Sequence, residues 1–314
     1  MHKGTVIKST GNWYQVRLED DSVIRCRIVG KFRLEGKKLT NPVAVGDEVQ
    51  IKIEAADETG IIQTILDRKN YVARQSPRKK HHIHLLASNV DQAIVIATVV
   101  APKLKQGFID RFLLMTEPYR IPTTIVFNKS DVYQAADMEL YDYLKQMYEV
   151  IGYQVLVTSA FSGEGLEQLK HTLKDQQTLL SGQSGVGKSS LVNAIQPQLE
   201  LRTGEISDFS GKGQHTTTFA EMYPLDFGGT IIDTPGIKTL SFNNLEPMDI
   251  AHNFREIFDY AKDCKFANCM HRDEPKCAVK AAVETEAISE LRYINYLTIL
   301  EEAEEQNYWE RRAM

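Results

Sequence analysis

Gly182, Gln183, Ser184, Gly185, Val186, Gly187, Lys188 and Ser189 stand in a row and satisfy G-x-x-x-x-G-K-[ST]. Glycines at these positions let backbone N–H groups curl around phosphate oxygens, and the helix that follows points its positive end at them. Lys188 is placed to reach the β- and γ-phosphates of a nucleotide, and the Ser189 hydroxyl to ligate Mg²⁺. Ser190 extends the run into the helix.

A second motif, Asn128-Lys129-Ser130-Asp131, follows the apolar run Thr123–Phe127. N-K-x-D at the carboxyl end of a strand suits guanine. The Asp131 carboxylate can accept from both guanine N–H groups, a charge-assisted pair that adenine cannot match. Asn128 would touch the far edge of the base, and the Lys129 stem would cover its face. Thr158-Ser159-Ala160 follows the next strand, Tyr153–Val157. Small side chains at Ser159 and Ala160 let a backbone N–H approach the guanine carbonyl.

Asp233-Thr234-Pro235-Gly236 closes the strand Thr230–Ile232. Asp233 can hold the Mg²⁺ hydration shell, and the Gly236 N–H can meet the γ-phosphate. Upstream, residues 211–218 read Gly-Lys-Gly-Gln-His-Thr-Thr-Thr. One threonine there can ligate Mg²⁺ only while the γ-phosphate is present, which makes the segment a nucleotide-sensitive switch. Thr217 is the first choice; Thr216 and Thr218 remain alternatives.

The order is unusual. GTP-binding domains ordinarily place the phosphate loop before N-K-x-D, whereas here both guanine motifs precede it. The set is complete but rotated, as if the original ends had been joined and the chain opened elsewhere. Such a domain needs its new ends secured, which an extra domain on each side could do.

Cys264, Cys269, His271 and Cys277 give C-x4-C-x-H-x5-C. Three thiolates and an imidazole make a closed tetrahedral Zn²⁺ set with no position left for substrate, so one structural zinc per chain is expected. The remaining cysteine, Cys26, shares a strand face with Ile24 and Ile28, opposite Arg25 and Arg27, and reads as core.

These motifs need elements to hold them. Thr5–Ser9, Trp13–Leu18, Val23–Ile28, Val49–Glu54 and Ile61–Leu66 read as short strands separated by Gly and Asp turns. Five strands in this space suit an oligonucleotide-binding-type barrel over residues 1–72. Residues 71–90 read as a transition, with the basic run Arg78–His84 as a loop or linker that contacts RNA or is merely solvated. Strands at Ala93–Val99, Thr123–Phe127 and Tyr153–Val157 alternate with helices at Phe108–Met115, Met138–Val150 and Leu166–Lys174. Alternation of this kind predicts an α/β domain, residues 73–245, with a parallel sheet covered on both faces. Residues 246–314 read as helical: one helix over Asp249–Lys262, then one or two from Ala278 to about Glu305. Ile288, Leu291, Ile294 and Leu297 supply the apolar face.

The 314 residues are 42% hydrophobic and 25% charged, which supports a sizeable core and excludes a disordered chain. The most apolar stretch, Ala93–Ala101, is far short of the roughly 20 residues that span a bilayer, so no membrane association is expected. The N-terminus lacks an apolar signal core, which argues against export. Residues 1–84 hold 16 Lys+Arg against 10 Asp+Glu, a net of +6; the rest holds 21 against 32, a net of −11. A basic module on an acidic body suits a polyanionic partner.

Together the N-K-S-D, T-S-A, G-Q-S-G-V-G-K-S-S, H-T-T-T and D-T-P-G order, the N-terminal barrel and the cysteine-histidine knuckle resemble the circularly permuted small-ribosomal-subunit-dependent GTPase A family, or RsgA. The resemblance covers nearly the whole chain. It implies a cytoplasmic bacterial enzyme, expected as a monomer, that hydrolyses GTP to GDP during late maturation of the small ribosomal subunit. It further implies that the subunit stimulates hydrolysis, that the barrel and zinc domain contact rRNA, and that the GTPase domain times release. Many GTPases carry a water-orienting glutamine after D-T-P-G; here that residue is Ile237, which cannot orient water. The resemblance points instead to His215. A potassium-binding Asn of the phosphate loop is replaced by Gly185, so potassium dependence by that route is not expected. A P-loop kinase is disfavoured by N-K-S-D, the threonine segment and D-T-P-G. A non-catalytic RNA-binding module would differ only in lacking turnover with ribosomal subunits present.

Overall fold

The computed structural model describes residues 1–30, 32, 39–54, 58–75, 83–201, 220–234 and 245–312. His215, Thr217, Gly236 and Ile237 lie outside the described residues, as do 78–82 of the basic run.

The barrel is built from β1 (His2–Ser9), β2 (Tyr14–Leu18), β3 (Val23–Ile28), β4 (Glu48–Glu54) and β5 (Thr59–Ile65). The strands pair in the order β1-β2-β3-β5-β4, and β4 closes back onto β1. Only the β3–β5 pair is parallel. Alternation puts Val6, Val16, Cys26, Val49, Ile51 and Ile62 in a sealed interior, while Arg25 and Arg27 face out. Arg25 stacks over Trp13 at 4.0 Å.

The expected transition is instead a hairpin, β6 (Tyr71–Gln75) with β7 (Ile83–Ser88). Leu85 and Leu86 are buried on it, and the Asn41 side chain brackets the Leu85 backbone from the barrel side with bonds of 2.8 and 2.9 Å. Ile83 and His84, the end of the basic run, therefore belong to a strand.

The central sheet runs β10-β9-β8-β11-β13-β12: β8 (Gln92–Ala97), β9 (Thr123–Asn128), β10 (Gln154–Thr158), β11 (Gln177–Gly182), β12 (Glu221–Pro224) and β13 (Thr230–Asp233). All neighbours are parallel except the edge hairpin β12–β13. Helices α1 (Gln106–Thr116), α2 (Ala135–Ile151), α3 (Leu166–Leu173) and α4 (Lys188–Ile195) connect the strands. Separate apolar clusters cover the two faces: Val95, Ile125, Phe127 and Leu179 pack on one side, Ile94, Ile96, Val126 and Leu180 on the other.

The C-terminal region departs from expectation twice. The single helix expected over Asp249–Lys262 is two, α5 (Pro247–Asn253) and α6 (Arg255–Ala261). Phe254 between them is extended (φ −90°, ψ 101°), which turns its ring inward onto Tyr296. After α7 (Ala278–Glu284), the long helix α8 (Glu290–Arg312) buries Arg292, Tyr296, Ile299, Leu300 and Ala303, while Ile294 is 50% exposed. The buried face is thus rotated from the expected stripe, and it begins with an arginine.

Candidate active site and metal centre

Parallel strands deliver the motifs to one edge. β11 ends at Gly182, β9 at Asn128, β10 at Thr158 and β13 at Asp233. Register aligns them: Thr158 pairs with Asn128, and Asp233 with Leu180. Ligand sites of open α/β sheets sit at such carboxyl ends. Gly182 to Gly187 then turn back over the strands, and α4 starts at Lys188, as the glycine pattern requires.

Two side chains clasp the guanine motif to the phosphate loop. Asn128, 1% exposed, donates Nδ2 to the Val186 carbonyl at 2.9 Å and accepts from Thr158 Oγ1 at 3.1 Å. Lys129, in the left-handed region at φ 69°, donates Nζ to the carbonyls of Gly185 (2.7 Å) and Ala101 (2.6 Å). Asn128 is therefore a tie beneath the site as well as a candidate base contact. Burial lowers the Lys129 ammonium's pKa, against the pull of Asp131. Ser159, fully buried, donates to Asp131 Oδ1 and accepts from the N–H groups of Phe161 (3.1 Å) and Ser162 (3.0 Å). This fixes the exposed Asp131 carboxylate beside the backbone of Ala160.

On the phosphate side, Gln183, Ser184 and Gly185 are open to solvent to differing degrees, and Ser189 is half-buried. Burial lowers the Lys188 ammonium's pKa while Asp233 opposes the shift, so these two groups face one another electrostatically. Thr234 anchors D-T-P-G by donating to the Leu180 carbonyl at 3.1 Å. The described part of the site thus holds Ser189 and Asp233 as oxygen donors suited to Mg²⁺.

Tyr133 was not expected here. Its hydroxyl donates to the Asn128 carbonyl at 2.8 Å and accepts the Val99 N–H at 3.0 Å, tying the β8–α1 loop to N-K-S-D. A tyrosine two residues beyond a short motif carries no pattern that would single it out.

The second centre lies between α6 and α7. Cys264, Cys269, His271 and Cys277 bring their ligand atoms within 4.8 Å of one another. A tetrahedral zinc with Zn–S of about 2.3 Å separates its sulfurs by about 3.8 Å. Here Cys264 and Cys277 Sγ are 3.9 Å apart, and they lie 3.7 and 3.5 Å from His271 Nδ1. The residues fit zinc. Without a cation, burial pushes the Cys269 thiol up to about 12, the cost that a bound dication would remove. Burial lowers the His271 pKa, leaving the neutral imidazole that a metal needs. The Lys280 N–H donates to Cys277 Sγ, and Tyr293 and Tyr296 of α8 donate to the carbonyls of His271 and Met270.

Comparison with known proteins agrees with this geometry. A model of the RsgA GTPase domain matches residues 65–243, and a model of the RsgA N-terminal domain matches residues 3–62. The chain belongs to the RsgA GTPase family. It is 50% identical over 306 residues to the small ribosomal subunit biogenesis GTPase RsgA of Phocaeicola vulgatus, covering 98% of each chain. It is 48% identical to the RsgA of Flavobacterium psychrophilum, covering 95% of this chain and 92% of that one. The crystal structure of YjeQ from Thermotoga maritima superposes with a TM-score of 0.76 at 37% identity, over 96% of this chain and 98% of that one. YloQ, a circularly permuted GTPase, superposes at 0.71 and 32%, over 98% and 96%. The chain is therefore a circularly permuted GTP hydrolase with an oligonucleotide-binding-type barrel at its N-terminus. Among the described residues, no helix is long and apolar enough to cross a membrane.

Proposed function

We propose that the chain hydrolyses GTP while docked on the small ribosomal subunit, late in that subunit's maturation, and that hydrolysis times its release. The carrying observation is the clasp of Asn128 on Val186 and Lys129 on Gly185, which supports a single nucleotide site assembled from motifs in reversed order. In this reading Asp131, Lys129, Asn128 and the Ser159–Ala160 backbone recognise guanine. Residues 182–190 cradle the phosphates, with Lys188 neutralising their charge. Ser189, Asp233, Thr217 and Gly236 serve Mg²⁺ and the γ-phosphate, and the metal supplies charge neutralisation at the leaving diphosphate. His215 positions the attacking water, because Ile237 cannot.

The modules divide the work: 1–72 and 246–314 contact rRNA, and 73–245 turns over nucleotide. The outward Arg25, Arg27 and stacked Trp13 support an RNA-facing barrel. Zinc at Cys264, Cys269, His271 and Cys277 is structural. The chain acts as a cytoplasmic monomer.

The test is GTP turnover with and without purified small subunits, for wild type and His215→Ala. Wild type should be slow alone and strongly stimulated by subunits. His215→Ala should bind GTP normally and lose most of the stimulation. Turnover indifferent to subunits would refute the partner, and an unimpaired His215→Ala would move the water-positioning role elsewhere.

A further inference from the structure

Four helices meet around the guanidinium of Arg292, which is 1% exposed. Its Nη1 donates to Asp110 Oδ1 of α1, and its Nε and Nη2 donate to the two oxygens of Glu256 of α6 at 2.6 and 3.1 Å. Its face lies 4.4 Å from the Phe254 ring. Burial alone would lower its pKa; Asp110 and Glu256 reverse that and hold it well above its usual value. Asp110 is fully buried and collects three more donors: Tyr148 Oη of α2 at 2.8 Å, Gln106 Nε2 at 2.8 Å and Asn295 Nδ2 of α8 at 2.7 Å. Asn295 also donates to Gln106.

Gln106 opens α1. The residues before it, 98–105, leave β8 and run along the nucleotide site. Val99 is tied to Tyr133, Ala101 accepts from Lys129, and Pro102 is the nearest neighbour that a Cβ on Gly185 would meet, at 3.7 Å. A shift in the first turn of α1 would therefore move one of the Lys129 acceptors and the wall beside the phosphate loop.

We propose that Arg292 and Asn295 of the C-terminal helix are positioning residues for the nucleotide site, holding Gln106 and Asp110 so that the 98–105 loop stays in register with Lys129 and Gly185. The proposal rests on the reading of Lys129 as a guanine-side residue. It makes the seating of α8 and the affinity for guanine nucleotides a linked pair: whatever loosens α8 weakens nucleotide binding, and bound nucleotide tightens α8.

The test uses the full zinc-loaded chain. Asn295→Ala removes a neutral amide and strands no charge; Arg292→Lys keeps the charge but loses the two-pronged grip on Glu256. Equilibrium binding of fluorescent GDP and GTP analogues is measured beside thermal unfolding and hydrolysis at saturating GTP. Both variants should bind both nucleotides about 3- to 30-fold more weakly. Hydrolysis at saturation should stay within about twofold for Asn295→Ala, the split expected when only binding is perturbed. Asn295→Ala combined with Lys129→Ala should lose less affinity than the two losses combined, because both act through the Ala101 contact. If Lys129→Ala alone leaves affinity unchanged, the site reading fails and takes the proposal with it. If Lys129→Ala weakens binding while the α8 variants only lower the melting temperature, the cluster is a structural tie and the proposal alone is overturned. Fully independent losses in the double variant overturn it too.

Discussion

Gly187 and Gly185 permit a test of the clasp by two methyl groups. Both glycines have a left-handed backbone, φ +90° and +83°. An L side chain costs roughly 1–2 kcal/mol there. Their surroundings differ. A Cβ on Gly185 would meet nothing closer than Pro102 Cδ at 3.7 Å, an ordinary contact, whereas a Cβ on Gly187 would stand 2.6 Å from Asn128 Nδ2. Asn128 is buried and held at both ends of its amide by Val186 and Thr158, so it cannot move aside without surrendering those bonds. Stranding such a buried group costs about 1–3 kcal/mol. Gly185→Ala should therefore destabilise the nucleotide-free protein by about 1–2 kcal/mol and Gly187→Ala by about 2–5 kcal/mol. Urea unfolding followed by fluorescence, with the slope checked for constancy, measures both. Equal destabilisation would mean that Asn128 relocates at no cost and that the clasp does not hold the loop.

Three further outcomes are expected. Asp131→Asn should weaken GTP binding roughly 100-fold or more and favour xanthine nucleotides, because a site built for a bidentate pair rejects its absence strongly; competition titrations with GTP, ATP and XTP report it, and equal wild-type affinity for ATP and GTP would refute it. One zinc per chain should appear in elemental analysis, and chelation or Cys269→Ser should speed hydrogen exchange in α7 and the first turns of α8, which the metal knuckle supports; unchanged protection would count against a structural metal. Burial and the nearby Arg74 charge lower the His84 pKa to about 4, so the folded hairpin binds fewer protons than the unfolded chain. Its contribution should be full above pH 6.5 and decline as pH falls toward 4, and His84→Gln should flatten that slope in pH-dependent melting.

What the sequence revealed, and what it hid, follows from the range of the interactions. Gly182–Ser189 and Asn128–Asp131 are legible as motifs because each is a few consecutive residues at a strand end, and the structure brings them together at the carboxyl edge of one sheet. The cluster Cys264, Cys269, His271 and Cys277 is legible because its four ligand atoms come from one short stretch of chain. Hairpin β6–β7 is hard to read because its Val72, Leu86 and Ala87 are buried by residues far off in sequence, such as Phe108, Ile109 and Phe112, and its Leu85 backbone is bonded by Asn41, rather than by a regular alternation of its own. The break at Phe254 and the rotated face of α8 meet at one residue, the buried Arg292, whose guanidinium lies over the Phe254 ring. An arginine reads as solvent-facing in any periodicity count, and its partner Asp110 lies 182 residues away. Nothing local to either residue announces the pair.

A permuted domain must secure ends that an ordinary one joins by a loop, and here each side is held by backbone and by charge. On the N-terminal side β1 extends the central sheet: Lys8 pairs with Glu221 of β12, their side chains meet at 2.7 Å, and the Ser9 N–H reaches the Ala220 carbonyl. The edge strand is thus covered by the barrel, as an exposed edge requires. The Gln177 amide adds bonds to the Ser88 and Asn89 carbonyls at the start of β11. On the C-terminal side Arg255 pairs with Glu117 and stacks on Tyr153, and Arg292 binds Asp110. Two of these ties fall near the candidate site, because Glu221 stands in register with Asp233 and Asp110 lies in the helix that follows the 98–105 loop, whereas Gln177, Glu117 and Tyr153 sit at the opposite, amino ends of the strands. Opening the chain before β8 makes the 98–105 loop, which touches Lys129, the domain's first loop at the carboxyl edge of the sheet. In the same way, β12, the strand that receives the barrel, directly follows the threonine-bearing segment 202–219. A partner acting on either module would thus have a route to the candidate site through β12, where Glu221 stands in register with Asp233, or through α1, whose Asp110 follows the 98–105 loop.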